Sequence, residues 1–221
     1  TWLDGYKLGS PDRKTSIYPD AALCMLMVDL EILKNTNGEN SLHSVMQDLY
    51  ESFALKKRGY YEKDFKNICI KYGGKKVAEI FQDHIYGTED YIPNLKSSLK
   101  SVGLKLEKKN NPNLSAQYFG FFATKENNKI IVKKVEPESI CDKNGIAPED
   151  EISKINGLEI KESLNKILKK CKEKTNFTVK KKFSEKVIPL TIGNHYQLLE
   201  IQKINNPTSK QLTFRKMWCN N

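Results

Sequence analysis

The sequence predicts an α+β protein: an all-helical portion, then a small β-rich barrel or sandwich, then a short C-terminal tail. Three observations carry this. Through roughly the first hundred residues apolar side chains recur at helical spacing. From Tyr118 onward the pattern changes to short apolar runs, many of them β-branched, separated by turns containing glycine and asparagine. Between the two lies a polar stretch, Lys105 to Ser115, which includes Lys108-Lys109-Asn110-Asn111-Pro112-Asn113 and has the composition of a linker. The expected parts are therefore 1–105, 115–193 and a tail, 194–221, that packs back on them.

The helical elements follow from periodicity and from their stop signals. Trp2-Leu3-Asp4-Gly5-Tyr6 and Gly9-Ser10-Pro11-Asp12 read as a loop that docks an aromatic and turns. Ala21, Leu23, Leu26, Met27, Leu30 and Leu33 then keep one apolar helix face until Asn35-Thr36-Asn37-Gly38 stops it. Ser41 caps a second helix carrying Leu42, Val45, Met46, Leu49 and Phe53. A third starts near Tyr61 and ends at Gly73-Gly74, a fourth covers Val77 to Tyr86, and a fifth covers Pro93 to Val102 and closes at Gly103.

In the second part, Tyr118-Phe119-Gly120-Phe121-Phe122 sets a glycine among aromatics at the mouth of a strand. Strands are expected through Ile130-Ile131-Val132, Phe177 to Lys180 and Val187 to Ile192, the last two joined by a turn near Ser184-Glu185. Asn156-Gly157 between Ile155 and Leu158 is a strong two-residue hairpin signal. From Glu162 to Lys172, Leu164, Ile167, Leu168 and Cys171 share one helix face. If the backbone at Phe119, Gly120 and Phe121 turns so that successive N–H groups converge, it forms a nest for a carboxylate. Leu164 and Leu168 would then line a groove accepting an extended peptide. The alternative is that these phenyls and leucines are core.

Composition narrows the partners. With 38% hydrophobic and 29% charged residues in a chain of 221, two small domains can each bury a core. No apolar run approaches the roughly 18 residues that span a bilayer, so no transmembrane segment is expected. The net charge of +10 is uneven: residues 1–110 carry 17 basic and 15 acidic side chains, residues 111–221 carry 20 and 12. Most of the excess lies in Lys161 to Lys186, with ten lysines against Glu162, Glu173 and Glu185. That face can attract acidic peptides, but it has no arginine and no nucleic-acid-binding motif, so a solvated surface and no nucleic-acid partner are expected. The cysteines are odd in number at five, scattered and without a CxxC, which reads as free thiols. His43, His84 and His195 have no partner at metal-ligand spacing.

Two stretches resemble known families. Tyr118 to Gly157, with Asn144-Gly145-Ile146-Ala147-Pro148-Glu149-Asp150-Glu151-Ile152 and Ile155-Asn156-Gly157, resembles a PDZ domain of the type found in bacterial proteases. Glu149 stands where that pattern usually has glycine, and Ile140-Cys141 where a small residue is common. Tyr18 to Leu49, with Asp29-Leu30-Glu31-Ile32, Asn35-Thr36-Asn37-Gly38 and Ser41-Leu42-His43-Ser44-Val45-Met46, resembles the end of the thermolysin-like catalytic domain of the glycyl aminopeptidase family of zinc metallopeptidases. Gln211 and Trp218 also fall where that family has similar residues, and a PDZ domain follows its helical subdomain.

The resemblance implies the C-terminal part of a zinc-dependent aminopeptidase that removes glycine and alanine from peptide N-termini. Its PDZ domain would bind peptides, including those with a free C-terminal carboxylate, or position substrate. The family's HExxH helix is not in this chain, so the resemblance places the zinc ligands upstream of Thr1, with no metal held here and no activity expected of the chain alone. It also gives Tyr18 the role of donating its hydroxyl to the oxyanion of the tetrahedral intermediate, although Asp20 and Ala21 stand where lysine and glycine are usual. A packing role for Tyr18 is the alternative. A non-catalytic peptide-binding or scaffold module is the competing reading of the whole, and the compartment, cytoplasmic or periplasmic, is left open.

Overall fold

The computed structural model describes residues 17–220; the loop expected at Trp2 to Tyr6 and the turn at Gly9 to Asp12 lie outside them. The fold is α+β. By packing, the described chain divides into a helical unit, 17–107 with 200–220, and a sheet unit, 108–199.

The helical unit is built around α1 (Ile17–Asn35), which touches α2 (Leu42–Leu49), α3 (Glu62–Ile80), α4 (Tyr91–Ser101) and α8 (Ser209–Asn220). Met27, Val28, Leu30, Ile32 and Leu33 are fully buried, so α1 is apolar around most of its circumference, as a central helix must be. The third and fourth helices expected from the sequence both lie within α3, on either side of Gly74, whose φ 64° and ψ −155° are not helical and break the helix where the sequence placed its stop. The carbonyl of Tyr72 at the kink, which loses its helical partner there, accepts from Asn35 Nδ2 at 2.7 Å. Gly73 beside it has no room for a Cβ, which would meet the side chains of Val77 and Ile32.

Polar ties run through this unit. Asp29 accepts from the Leu42 N–H at 2.7 Å through Oδ1 and from the Trp218 indole at 2.8 Å through Oδ2, holding the start of α2 and the end of α8 to α1. Buried Glu31 accepts from Ser98 Oγ at 3.1 Å and Lys34 Nζ at 3.0 Å. The linker expected at 105–115 is not structureless: its first residues belong to β1 (Leu104–Lys109), which pairs with β8 (Leu198–Lys203). The tail, expected only to pack back, continues into α8, capped by Thr208 and Gln211, whose side chains each take up the other's backbone N–H. Arg215 Nε then reaches the Val102 carbonyl at 2.8 Å.

The sheet unit is an open antiparallel sheet, not the barrel or sandwich the sequence suggested. Its order is β2 (Phe121–Glu126), β3 (Lys129–Val135), β4 (Glu151–Ile155), β6 (Lys174–Lys181), β7 (Ser184–Thr191), with β5 (Leu158–Glu159) returning on β4. β2 and β7 remain edges, and Pro189 sits on the edge strand β7, where a missing donor costs least. Asn156 and Gly157, both at positive φ, make the hairpin turn between β4 and β5; Asn127 and Asn128 do the same between β2 and β3. The β6–β7 turn falls at Lys182-Phe183, two residues before the expected place, because Lys181 pairs with Ser184. Short helices α5 (Leu114–Phe119), α6 (Ile140–Lys143) and α7 (Leu164–Leu168) complete the unit. No described helix is long and apolar enough to cross a membrane.

Candidate functional site

The residues expected to form a carboxylate nest do not form one, and the reason is local. Leu114 to Phe119 is helical, with Asn113 capping it by accepting from the N–H groups of Ser115 and Ala116. Gly120 is therefore a helix C-cap, at φ 80° and ψ 30°, with its N–H directed back to Ala116 and Ser115 carbonyls. A helix C-terminus presents free carbonyls, which repel an anion; a nest needs free N–H groups. Glycine is nonetheless required, for its positive φ and because a Cβ would strike the side chain of Ser139.

The side chains tell the same story. Phe119 and Phe121 are fully buried and meet Phe177 edge-on, at ring distances of 4.9 and 6.0 Å. Leu168 is buried in the same cluster and Leu164 packs half-buried against it. These four are core, the alternative the sequence had left open. α7 is also tied to the start of α5: Asn165 accepts from the Leu114 N–H at 2.9 Å and donates to the Pro112 carbonyl at 2.9 Å.

The carbonyls left at the end of α5 are taken up by the chain itself. Gly193 donates its N–H to the Tyr118 carbonyl and His195 to that of Gln117, each at 2.9 Å. Gln117 donates to Asn194 through its side-chain amide and accepts from the Asn111 N–H at 2.6 Å. Tyr196 stands edge-on to Phe122 at 5.2 Å, with the Lys134 ammonium over both rings. Residues 193–196 thus lie on the α5–β2 junction. No sequence signal pointed to Gln117 or Asn194, since one amide pair 77 residues apart leaves no periodic trace. Half-buried His195 sits here with its pKa pressed down by burial and by the nearby Lys143 charge.

In the helical unit Tyr18 is in the first turn of α1 rather than in a loop ahead of it, and its side chain is 66% exposed. His84 is buried, stacked on Tyr91 at 4.8 Å, with Nδ1 donating to the Glu89 carbonyl and Nε2 accepting from Asn94. Both ring nitrogens are committed to protein partners. Among the described residues no three His, Cys, Asp or Glu side chains are grouped so as to hold a metal ion.

With this geometry in hand the chain can be set beside known proteins. No protein-family model and no curated protein matches the sequence. Among solved structures, an aminopeptidase N family protein from Idiomarina loihiensis superposes with a TM-score of 0.73 at 17% identity, covering 91% of this chain and 37% of that one. The likeness is one of fold, and this chain spans little more than a third of the other's length. A PDZ domain protein from Parabacteroides distasonis (TM-score 0.31, 22% identity, 49% of this chain and 23% of that one) and a photosystem II D1 C-terminal processing protease (0.33, 12%, 79% and 45%) superpose only loosely.

Proposed function

We propose that this chain is the C-terminal part of a zinc-dependent aminopeptidase that removes small residues, glycine and alanine, from peptide N-termini. The observation that supports this most is the superposition on an aminopeptidase N family protein over nine-tenths of the chain. The helical unit then contributes one wall of the catalytic domain, and metal chemistry is supplied by residues outside those described. The sheet unit carries the stretch Tyr118 to Gly157 that resembles a PDZ domain. Because the α5–β2 junction presents carbonyls and is covered by residues 193–196, its role is to position substrate rather than to capture a free carboxylate.

Tyr18 is the residue of this chain assigned to the chemistry. A phenol remains protonated at neutral pH and can donate one aimed hydrogen bond where negative charge develops on a tetrahedral intermediate. Its exposure favours that role over packing. Loss of one such donor costs about a hundredfold or more in turnover. Tyr18→Phe in the full-length enzyme should therefore lower kcat on glycyl and alanyl anilides by about that factor, with Tm unchanged. An unchanged kcat removes Tyr18 from the mechanism. Turnover by the purified 221-residue chain alone, surviving repurification, would overturn the placement of the catalytic metal elsewhere.

A further inference from the structure

Two helices of the helical unit carry no acidic side chain within their spans. α4 contributes Lys96 and Lys100, α8 contributes Lys210, Arg215 and Lys216, and neither holds an aspartate or glutamate to offset them. The two are tied together where Gln211 Nε2 donates to the Lys100 carbonyl at 2.7 Å. The last turns of α1 join them through Glu31, which accepts from Ser98 Oγ and from Lys34 Nζ. Where these three elements meet, a cavity of about 370 Å³ opens, at the small end of the range for small-molecule sites.

The register of each helix turns its groups into that space. Ser97, Lys100 and Ser101 stand at i, i+3 and i+4, one face of α4. On α8, Lys210 is one turn ahead of Phe214, with its ammonium 5.2 Å from the ring centre. Phe214 is buried and forms the apolar floor, and Lys34 closes the third side. Of the three ammoniums only that of Lys34 meets a carboxylate, at 3.0 Å, and this Glu31 is buried behind it. Among the described residues Lys100 and Lys210 enter no ion pair, and the Ser97 hydroxyl has no hydrogen-bond partner. Three ammoniums against one carboxylate leave two positive charges, beside a free hydroxyl and with no carboxylate on the lining.

We propose that this cavity binds a small phosphate monoester. Its phosphoryl group, a dianion above about pH 6, matches the two uncompensated charges. The oxygens accept from Lys100, Lys210 and the Ser97 hydroxyl, charge-assisted bonds of the kind that hold phosphate, and an apolar body of about phenyl size lies over Phe214. Lys34 and Tyr18 sit at opposite ends of α1, about 24 Å apart along the helix axis. The site is therefore separate from the proposed peptidase chemistry and is tested without turnover.

In the 221-residue chain at low salt, phenyl phosphate should bind by calorimetry with a Kd of about 1 mM or tighter, weakening as salt is raised. At saturation it should slow acetylation of Lys100 and Lys210 relative to Lys96, followed by mass spectrometry. Phenyl sulfate, of the same shape with one charge fewer, should bind about threefold or more weakly. Lys100→Ala combined with Lys210→Ala should raise Kd by about tenfold, and Ser97→Ala by about twofold. Lys96→Ala, which removes the same charge from the same helix beside the lining, should leave Kd unchanged. All four side chains are exposed, so these variants keep the fold. Absence of binding at about 10 mM phenyl phosphate overturns the proposal. So does equal weakening by Lys96→Ala, which would reduce the site to a diffuse positive field. A single-stranded oligonucleotide that binds more tightly than phenyl phosphate, and is lost in the double variant, also overturns it by assigning these lysines to a nucleic-acid backbone.

Discussion

The two units solve the same problem, pairing every buried polar group, by opposite means. The sheet satisfies its backbone through ladder bonds between strands, so its centre can be dry: Phe119, Phe121 and Phe177 meet edge to face among aliphatic side chains. Its polar ties hold the turns and short helices that flank the aromatic centre, as where Asp150 accepts from the Ala147 N–H and from Lys181. Helices satisfy only their own middles and leave donors and acceptors at each end. The helical unit accordingly threads side chains through its packing: Asp29 to α2 and α8, Glu31 to Ser98, Asn35 to the kink at Tyr72. In the sheet unit the side-chain ties gather at the short helices and turns, whereas in the helical unit they join the long helices themselves.

The largest effect that tests this contrast is Phe177→Ala. Emptying a buried aromatic site costs about 3–5 kcal/mol, and in the sheet unit nothing polar is available to compensate. Urea unfolding followed by hydrogen exchange should show the loss in β4, β6 and β7, with α1 protection retained. A loss spread evenly over both units would refute the contrast.

Asp29→Ala comes next. It strands two donors, the Leu42 N–H and the Trp218 indole, for an expected cost of about 2–4 kcal/mol. A double-mutant cycle with Trp218→Phe should return a coupling of about 1 kcal/mol or more. Additivity of the two would mean that the indole contributes by packing alone.

How much of this was legible depends on how local the determinant is. The helices α1, α2 and α4 were readable because their apolar spacing is internal to each segment, and the Asn156-Gly157 turn because two residues suffice to set it. α5 was not, since Tyr118-Phe119 looks like strand by propensity and becomes helical through the Asn113 cap and the tie to Asn165, 51 residues away from Leu114. That one misreading turned a helix C-cap into an expected anion nest. α8 was missed although the Thr208 and Gln211 capping pair was in the sequence, because its apolar residues are too few to show a face. Of the candidate site, Tyr18 came only through family resemblance, and the Gln117–Asn194 pair was invisible because it needs α5 and residues 193–196 in their folded places.

A smaller test concerns Glu149, the residue standing where the PDZ-like pattern has glycine. It adopts φ 73°, so the backbone keeps the glycine geometry and a side chain bears the strain. Its exposed ion pair with Lys133 at 3.1 Å offsets little. Glu149→Gly should stabilise the sheet unit by about 0.5–1 kcal/mol or leave it unchanged, read from its urea midpoint. Clear destabilisation would show that the ion pair outweighs the backbone.

The smallest expected effect is the pH dependence set by His195, where residues 193–196 cover the end of α5. Burial and the Lys143 charge disfavour the imidazolium in the folded state, so the folded pKa lies below the ordinary 6.5. Between the two values the unfolded chain binds the extra proton. The contribution is therefore fully present above about 6.5 and is lost as pH falls through the depressed value. Wild-type stability should decline over that interval more steeply than that of His195→Gln, the difference cancelling titrations elsewhere. Lys143→Ala should shallow the slope by removing part of the cause. Should His195→Gln follow the wild-type curve throughout, the ring titrates as it does in water, and the 193–196 segment is held by its backbone bonds to Gln117 and Tyr118 without burial of the imidazole.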